Sequence, residues 1–296
     1  MNRTRALVTG ATGFVGSHLC RRLLRDNWEI HIVVRSQSNL TQINDIDHSG
    51  QVHVHDGSTT SMLEIVQSAK PEIVFHLASL FITQHKPENI DDLILSNIRF
   101  GTQLLEAMVF HGVRYLVNTG TSWQHYQDEA YSPVNLYAAT KQAFESLLQF
   151  YVETTPLTVI TLMLFDTYGP NDPRPKLLNH LKRIAATGET LDLSPGEQYL
   201  DMVHVEDVVE AFLIAGKLLL KGSFSGMRSY AICTGKHIRL KDLVEIIEKT
   251  SGKKLSICWG KRPYRQREVM VPWSTGETLP GWSPKTNLEE ELKKLF

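Results

Sequence analysis

Short apolar runs rich in Val and Ile alternate along the chain with longer amphipathic stretches. This alternation is typical of a parallel β-sheet that is covered by helices on both faces. Helices are predicted near residues 90–110, 134–152 and 176–187. Strands are predicted at residues 5–9, 30–35, 52–55, 72–77, 114–118, 158–165 and 229–233. The pattern therefore predicts an α/β fold built on a doubly wound parallel sheet.

The second half of the chain carries more Gly and Pro and ends in a tail, residues 253–296, with three tryptophans. Because the strand at 229–233 belongs to the predicted sheet, we expect two interleaved units. We assign the doubly wound domain to residues 1–168 plus about 200–235. A smaller mixed α/β region is assigned to about 169–199 plus 236–296.

Composition limits the partners of the protein. The 296 residues include 31 Lys and Arg against 32 Asp and Glu, so nothing in the net charge of -1 favours nucleic acid or an anionic membrane. The most apolar helical stretch, residues 207–220, carries charges and is too short to span a bilayer. Three scattered cysteines and the absence of an apolar leader predict a cytoplasmic protein.

A glycine-rich turn lies between the first strand and the first helix, in "VTGATGFVGSHL" at residues 8–19. Gly10 permits a tight turn, Gly13 lets backbone N–H groups approach a pyrophosphate, and Gly16 lets the helix pack closely. A plain strand-to-helix turn is the alternative interpretation. The surrounding alternation of strands and helices favours a dinucleotide site.

The end of the second strand indicates which dinucleotide is bound. An acidic residue there usually accepts the ribose 2′-hydroxyl, but this strand ends in Arg35 and Ser36. A guanidinium can bind a 2′-phosphate through two hydrogen bonds, which favours NADP(H) over NAD(H) as the cofactor. The simpler interpretation is that Arg35 is a solvated surface arginine that binds no ligand. Asp56 ends the third strand, where it can accept from the adenine amino group. A metal site at His53, His55 and Asp56 lacks further ligands, so no metal is expected.

Catalytic chemistry is indicated by "YAATK" at residues 137–141. On a helix, Tyr137 and Lys141 share one face, so the ammonium can favour ionisation of the phenol. Such a tyrosine can exchange a proton with a carbinol oxygen. Hydroxyl groups in "NTGTS", residues 118–122, can bond the same oxygen.

Seven motifs in order resemble the extended short-chain dehydrogenase/reductase family, which contains nucleotide-sugar epimerases, dehydratases and ketoreductases. The motifs are "TGATGFVG", "FHLAS", "NIRFGTQLLEA", "PVNLYAATK", "LFDTYGP", "VHVEDVVEAF" and "LPGWSPKTNLEEEL". The resemblance covers almost the whole chain. It implies a Rossmann domain for the cofactor and a small C-terminal region for a nucleoside-diphosphate sugar.

The resemblance also implies roles for individual residues. Tyr137 is implied as the proton donor or acceptor and Lys141 as the residue that binds the nicotinamide ribose. The spacing to Trp123 points to Thr119 as the third catalytic group, with Thr121 two residues later as the alternative. The implied cofactor set is Gly10, Thr12, Gly13, Phe14, Val15, Gly16, Arg35, Ser36, Asp56, Gly57, Leu77, Ala78, Ser79, Asn97, Tyr137 and Lys141. The implied substrate set is Ser79, Thr121, Ser122, Arg174, Lys176 and Arg265.

The family contains three activities, namely dehydration, reduction and epimerisation. Dehydration is disfavoured because Gly120 and Thr121 replace the acid pair that dehydratases of the family carry. Arg35 favours a reductase that consumes NADPH over a 4-epimerase that retains NAD. Details of "LFDTYGPNDPRPKLL" resemble the CDP-abequose synthase group of 4-keto-6-deoxyhexose reductases, although Leu200 stands where many relatives carry an arginine. A sensor that has lost the chemistry is disfavoured because Tyr137 and Lys141 are both present.

The predicted helices at 90–110 and 134–152 are amphipathic. In relatives, such helices pack as a four-helix bundle between two subunits, although an apolar helix face is more often covered within the same chain. A homodimer is therefore expected.

Overall fold

The computed structural model describes residues 3–46 and 51–296. Twelve strands form within these ranges: β1 (Arg5–Thr9), β2 (Glu29–Arg35), β3 (Val52–His55), β4 (Ile73–His76), β5 (Tyr115–Thr121), β6 (Thr158–Leu164), β7 (Asp166–Tyr168), β8 (Leu191–Asp192), β9 (Tyr199–His204), β10 (Met227–Ile232), β11 (His237–Arg239) and β12 (Ile257–Cys258). Nine α-helices form there: α1 (Phe14–Arg25), α2 (Thr59–Ala69), α3 (Ile90–Ile94), α4 (Phe100–Phe110), α5 (Leu136–Thr154), α6 (Leu177–Thr187), α7 (Val205–Leu220), α8 (Leu240–Ser251) and α9 (Leu288–Leu295).

Seven of the strands form one parallel sheet in the order β10-β6-β5-β4-β1-β2-β3. The order reverses at β1 and β4, so the loops after these strands diverge and leave a crevice at the carboxyl edge. This sheet confirms the doubly wound α/β prediction. All seven predicted strands are present, and β5 extends three residues beyond its predicted end, to Thr121.

Both faces of the sheet are covered by helices. One core contains Leu19 and Leu23 of α1 and Phe212 of α7, packed on Ile30 and Phe75 of the sheet. The other contains residues of α2, α4 and α5. Because the strands are buried on both faces, they consist of nearly continuous apolar runs rather than alternating ones.

A third core is separate from the sheet and lies in the second half of the chain. It joins Leu181 and Ile184 of α6 to Leu243 and Ile247 of α8 and to Leu292 of α9. Small sheets border it: β9 pairs with β7 and β11, and β8 pairs with β12. Leu200 and Met202 of β9 contact this core, whereas Val203 contacts a core of the main sheet. The distribution of core residues supports the interleaved division, which stays a prediction.

The C-terminal tail is held against helix α7 by Asp207. Its carboxylate accepts hydrogen bonds from the backbone N–H groups of Lys285 and Thr286, at 3.1 Å each. The indole of Trp282 donates to the Asp207 carbonyl at 2.8 Å. These contacts hold the tail at residues 282–286 against the N-terminal turn of α7.

The predicted helix at 90–110 contains a π-helical turn, Leu95–Arg99, between α3 and α4. A π-turn inserts one residue into a helix and is frequent at functional sites. Ile90, Ile94, Leu95 and, on α5, Phe150 are exposed. The expected pairing of these helices in a homodimer stays a prediction. Within residues 3–46 and 51–296, no helix combines the length and apolarity needed to cross a membrane.

Candidate active site

The glycine turn between β1 and α1 is packed so tightly that side chains are excluded. A Cβ on Gly16 would lie 2.1 Å from the carbonyl oxygen of Gly10. Gly10 has φ of +74°, and a Cβ there would lie 2.6 Å from the backbone nitrogen of Ala78. The turn therefore brings bare backbone to the N-terminus of α1, the arrangement that binds a pyrophosphate.

A cavity of about 460 Å³ opens beside this turn; we call it the glycine-turn cavity. It extends along the carboxyl ends of β1, β2, β3 and β4 to the π-turn. Ten residues of the implied cofactor set line it: Gly10, Thr12, Gly13, Arg35, Ser36, Asp56, Gly57, Leu77, Ala78 and Ser79. Phe14, Val15 and Gly16 begin α1 instead. These three residues, together with Asn97, Tyr137 and Lys141, are absent from the lining.

Arg35 is exposed at the end of β2, and among the described residues its side chain makes no ion pair. Its guanidinium is therefore available to an anionic ligand. Asp56 stands opposite, where its carboxylate accepts from the backbone of Ser58 at 2.7 Å, and this bond lowers the pKa of Asp56. His53 stacks on His31, and His55 bonds the carbonyl of Ser58. No cluster of three metal-ligating side chains occurs in the described part of the chain.

Tyr137 and Lys141 lie one turn apart on α5, which begins where Asn135 Oδ1 accepts a hydrogen bond from the backbone N–H of Ala138. Both side chains are buried, with exposures of 9% and 3%. Burial raises the pKa of Tyr137 to about 12, while hydrogen bonds from Ser79 and Thr121 and the charge of Arg174 favour its ionised form. Burial lowers the pKa of Lys141 to about 8, and Glu145 opposes that shift.

These pKa directions correct the expectation that Lys141 lowers the pKa of Tyr137. Lys141 is not among the groups that act on Tyr137, and desolvation of the phenolate is the largest effect. A shared helix face does not by itself bring the two polar atoms together. Tyr137 is consequently a proton donor in this state, because a raised pKa keeps the phenol protonated at neutral pH.

The hydroxyl groups of "NTGTS" occupy different environments. Thr119 donates to the carbonyl of His76 at 2.8 Å, so its hydroxyl is used within the sheet. Thr121, at the end of β5, hydrogen-bonds to Tyr137. The used donor of Thr119 favours Thr121 as the catalytic hydroxyl, and the choice between the two stays a prediction.

Asn97 is buried in the π-turn, and its amide is fully bonded within the protein. Its Oδ1 accepts from the Leu80 backbone at 2.7 Å and from Ser79 Oγ at 3.1 Å. Its Nδ2 donates to the Leu80 carbonyl and to Thr140 Oγ1. Asn97 therefore fastens the loop after β4 to α5, rather than offering polar atoms to a ligand.

A second cavity, of about 330 Å³, lies between the sheet edge and the third core; we call it the aromatic cleft. Rings provide much of its wall: Phe81, Trp123, Tyr126, Phe165, Tyr168, Tyr199 and Trp273. Ser122, Lys176, Arg265 and Leu200 line it as well. The loop after β4 separates the two cavities, since Ser79 lines one and Phe81 the other. Tyr137 contacts both residues and so lies between the two cavities, although it belongs to the lining of neither.

The cations expected to bind phosphate differ in availability. Arg174 forms a bidentate pair with Asp172, at 2.7 Å, and stacks over Phe14. Arg265 forms a bidentate pair with Glu268, at 2.8 and 2.5 Å. Lys176 makes no ion pair among the described residues; its ammonium lies 4.8 Å from the centroid of the Phe81 ring. Lys176 is therefore the cation of this set that is free to bind an anion.

Several site residues were not identified from the sequence. Arg99, in the π-turn, lines the glycine-turn cavity. Asp166 lines the aromatic cleft, where burial raises its pKa against the opposing charges of Lys176, Arg265 and Arg174. Phe81 packs on Tyr137. The motif "LFDTYGP" contains Asp166, but its letters do not indicate which side chain faces the cleft.

Known proteins share this architecture. The CDP-abequose synthase of Salmonella muenchen is 28% identical over 293 residues, which is 98% of this chain and 96% of that protein. The structure of MoeE5 in complex with UDP-glucuronic acid and NAD is 25% identical, with a TM-score of 0.80 over 98% of both chains. The UDP-glucose 4-epimerase of Thermus thermophilus, solved with NAD, has a TM-score of 0.82 at 23% identity over 98% of this chain and 97% of that chain, which shows likeness of fold.

A Rossmann sheet, a glycine turn at α1 and a buried Tyr-x-x-x-Lys pair define a nicotinamide-dependent enzyme of the extended short-chain dehydrogenase/reductase type. Residues 6–222 match the NAD dependent epimerase/dehydratase family. The chain belongs to this family, as its motifs indicated.

Proposed function

We propose that the protein is an NADPH-dependent reductase of the C4 keto group of a nucleoside-diphosphate 4-keto-6-deoxyhexose, acting in deoxysugar biosynthesis. The observation that carries the proposal is the position of Tyr137, which contacts Ser79 of the glycine-turn cavity and Phe81 of the aromatic cleft. A cofactor in the first cavity and a sugar nucleotide in the second would meet at its hydroxyl. Similarity to the Salmonella CDP-abequose synthase over almost the full length of both chains supports the substrate class.

The residues of the glycine-turn cavity fit a dinucleotide. The close contact of Gly10 with Gly16 leaves backbone donors for the pyrophosphate at the N-terminus of α1. Arg35 and Ser36 would hold a 2′-phosphate, and the unpaired Arg35 guanidinium supports NADP(H) over NAD(H). Lys141, whose ammonium has no hydrogen-bond partner among the described residues, would bind the nicotinamide ribose. When bound, the reduced nicotinamide supplies a hydride to a carbonyl carbon.

Side chains of the protein act on the carbonyl oxygen of the keto sugar. Tyr137 donates a proton to this oxygen as negative charge develops on it. Thr121 hydrogen-bonds to the Tyr137 hydroxyl and would stabilise the phenolate that forms, whereas the Ser79 hydroxyl beside it donates to Asn97. The positive charge of Arg174 acts on the same hydroxyl. Its attraction for a phenolate increases during proton transfer, which lowers the barrier.

The aromatic cleft fits the remainder of a sugar nucleotide. Lys176 would contact the diphosphate, because it is the unpaired cation of the expected set within the described residues. Arg265 would reach an anion beside its pair with Glu268. The ring-rich wall, including Trp123 and Trp273, suits the apolar faces of a base and a deoxyhexose.

A 4-epimerase with tightly held NAD is the second candidate. The NAD in the structure of MoeE5, at 25% identity, favours it. The two candidates differ in the fate of the cofactor. A reductase consumes NADPH in proportion to product, whereas an epimerase retains its dinucleotide and interconverts two sugars without net consumption.

The test is to incubate the purified protein with a panel of 4-keto-6-deoxyhexoses carried on different nucleoside diphosphates. Loss of nicotinamide absorbance is followed with NADPH and with NADH. We expect NADPH consumption matched by a reduced sugar nucleotide, and loss of at least about 100-fold in kcat for Tyr137→Phe with unchanged NADPH affinity. Turnover of 4-hydroxyl epimers without NADPH consumption would establish the epimerase instead.

A further inference from the structure

Glu145 lies one helical turn beyond Lys141 on α5, on the side away from Tyr137. Its side chain reaches into the protein, and Oε1 is buried without a hydrogen-bond partner among the described residues. Burial raises the pKa of Glu145, whereas Gln124 and Lys141 both lower it. A buried carboxylate with a free oxygen is costly, so a compensating interaction nearby is required.

Gln124 holds this carboxylate in place. Gln124 is completely buried, and its Nε2 donates to Oε2 of Glu145 at 3.0 Å and to Oε1 of Gln142 at 3.0 Å. Its Oε1 accepts from the backbone N–H of Thr121 at 3.0 Å. One amide thus connects the end of β5, where Thr121 hydrogen-bonds to Tyr137, to the helix that carries Lys141.

We propose that Glu145 is a positioning residue that acts as the buried counter-charge of Lys141 and keeps the ammonium protonated during turnover, with Gln124 fixing the carboxylate relative to Thr121. The inference rests on the catalytic role given to Lys141 and Tyr137 in the proposed function. Glu145 makes no contact with the reacting atoms. Its effect reaches them through the charge of Lys141.

The other described groups near Lys141 do not supply a negative charge that would stabilise its ammonium. From β4, His76 faces it, and the pKa of His76 is lowered to about 3 by burial and by Lys141, so His76 is neutral at physiological pH. On α5 itself, Tyr137 is protonated at neutral pH. Arg174 lies near Tyr137 with its charge shared by Asp172. Among the described groups that act on the pKa of Lys141, Glu145 is the anion.

A lysine whose pKa lies near 8 loses its charge as the pH rises through the mildly alkaline range. Removing the charge of Glu145 would lower this pKa further, because the carboxylate raises the pKa of Lys141 and a neutral amide would not. Lys141 would then be partly neutral at the pH of the reaction. A neutral amine would donate a weaker hydrogen bond to the nicotinamide ribose than an ammonium does.

The test compares wild type with Glu145→Gln. The amide has the same shape and still accepts the hydrogen bond from Gln124, so the substitution removes the charge and little else. We expect the alkaline limb of kcat/KM to move down by about one pH unit or more. Cofactor affinity at a pH well below neutral should stay within about twofold, because Lys141 is then charged in both proteins.

A second readout does not depend on turnover. The Lys141 pKa is measured by NMR on protein labelled with ¹³C at lysine Cε, with Lys141→Arg to assign the signal. We expect this pKa to fall in Glu145→Gln and to recover in Glu145→Asp. Glu153→Gln, on an exposed residue of the same helix, is the matched control and should leave both the pKa and the rate profile unchanged.

The outcomes separate this inference from the proposed function. An unchanged Lys141 pKa in Glu145→Gln would overturn it whether or not the enzyme reduces any sugar. A lowered pKa with an unshifted rate profile would also overturn it, because the charge would then be irrelevant to catalysis. If wild type reduced no keto sugar, the proposed function would fail, while the NMR titration would still report on the Glu145–Lys141 pair.

Discussion

Phe81 packs edge-on against Tyr137, with ring centroids 4.9 Å apart and planes at 78°. The same ring lies under the ammonium of Lys176 and beside Trp123. Phe81 comes from the loop that Asn97 anchors, so the π-turn indirectly fixes the orientation of the catalytic phenol. A residue from the wall of the aromatic cleft thereby restrains the ring of Tyr137, which lies between the two cavities.

Phe81→Ala should reduce kcat about threefold to tenfold, because an aromatic pair contributes about 0.5–1.5 kcal/mol and its loss frees the Tyr137 ring. KM for the sugar nucleotide should rise as well, since Lys176 loses its support. Steady-state kinetics with NADPH would measure both values. Phe110→Ala, on a residue that is 72% exposed, is the control. An unchanged kcat in Phe81→Ala would contradict the orienting role.

Replacing each threonine of β5 with valine should separate their roles. Thr121→Val removes a hydrogen bond to Tyr137 and should lower kcat about 10–100-fold. Thr119→Val removes only a bond to the His76 carbonyl, so it should affect stability by about 1 kcal/mol and leave kcat nearly unchanged. Kinetics and urea unfolding of both variants provide the comparison. A larger kcat loss in Thr119→Val would restore Thr119 as the catalytic hydroxyl.

Arg35→Asp should invert the cofactor preference. The guanidinium that would pair with a 2′-phosphate is lost, and the new carboxylate repels the phosphate but can accept from a free 2′-hydroxyl. We expect KM for NADPH to rise at least about tenfold, with a smaller change or an improvement for NADH. Arg114→Asp, on an exposed arginine outside the glycine-turn cavity, is the control. Equal losses for both cofactors would refute phosphate selection by Arg35.

Gly16→Ala should weaken both folding and cofactor binding. The added Cβ would lie 2.1 Å from the Gly10 carbonyl oxygen, and neither backbone can move without opening the turn. We expect a loss of about 1–3 kcal/mol in the free energy of unfolding, measured with urea. Gly13→Ala, where the nearest atom is 3.2 Å away, should cost less. Equal free energies of unfolding for the two variants would contradict this prediction, because they would mean that α1 can shift to accommodate the added methyl group at no cost.

His76 should make the protein sensitive to acid. Burial lowers the pKa of His76 from 6.5 to about 3. Between these two pH values the unfolded chain therefore binds a proton at His76 that the folded chain does not bind. The contribution of neutral His76 to the free energy of unfolding is fully present above pH 6.5 and is lost as the pH falls towards 3, at up to about 1.4 kcal/mol per pH unit. Urea unfolding between about pH 7.5 and about pH 5 would show a shallower slope for His76→Gln than for wild type. The exposed His85→Gln should keep the steep slope; if both variants kept it, His76 would not be responsible.

Local sequence patterns determined the strands of the main sheet, the glycine turn and the catalytic face of α5. Continuous apolar runs predict the buried parallel strands, because burial on both faces selects such residues wherever the strand lies. Gly10, Gly13 and Gly16 predict the turn, since the positive φ of Gly10 and the close contacts of the other two with Gly10 arise within a few residues. Tyr137 and Lys141 predict the catalytic helix face for the same reason, as helical spacing is a local property.

Only the tertiary structure decided which groups are free to act. Thr119 and Thr121 differ because a carbonyl of the neighbouring strand satisfies one and not the other. Arg174 and Arg265 are paired while Lys176 is not, which depends on where the loops meet. The pKa of Tyr137 rises rather than falls because desolvation depends on everything packed around the ring. Hydrogen bonds, ion pairs and burial join residues that are distant in sequence, so the order of the letters alone does not contain them.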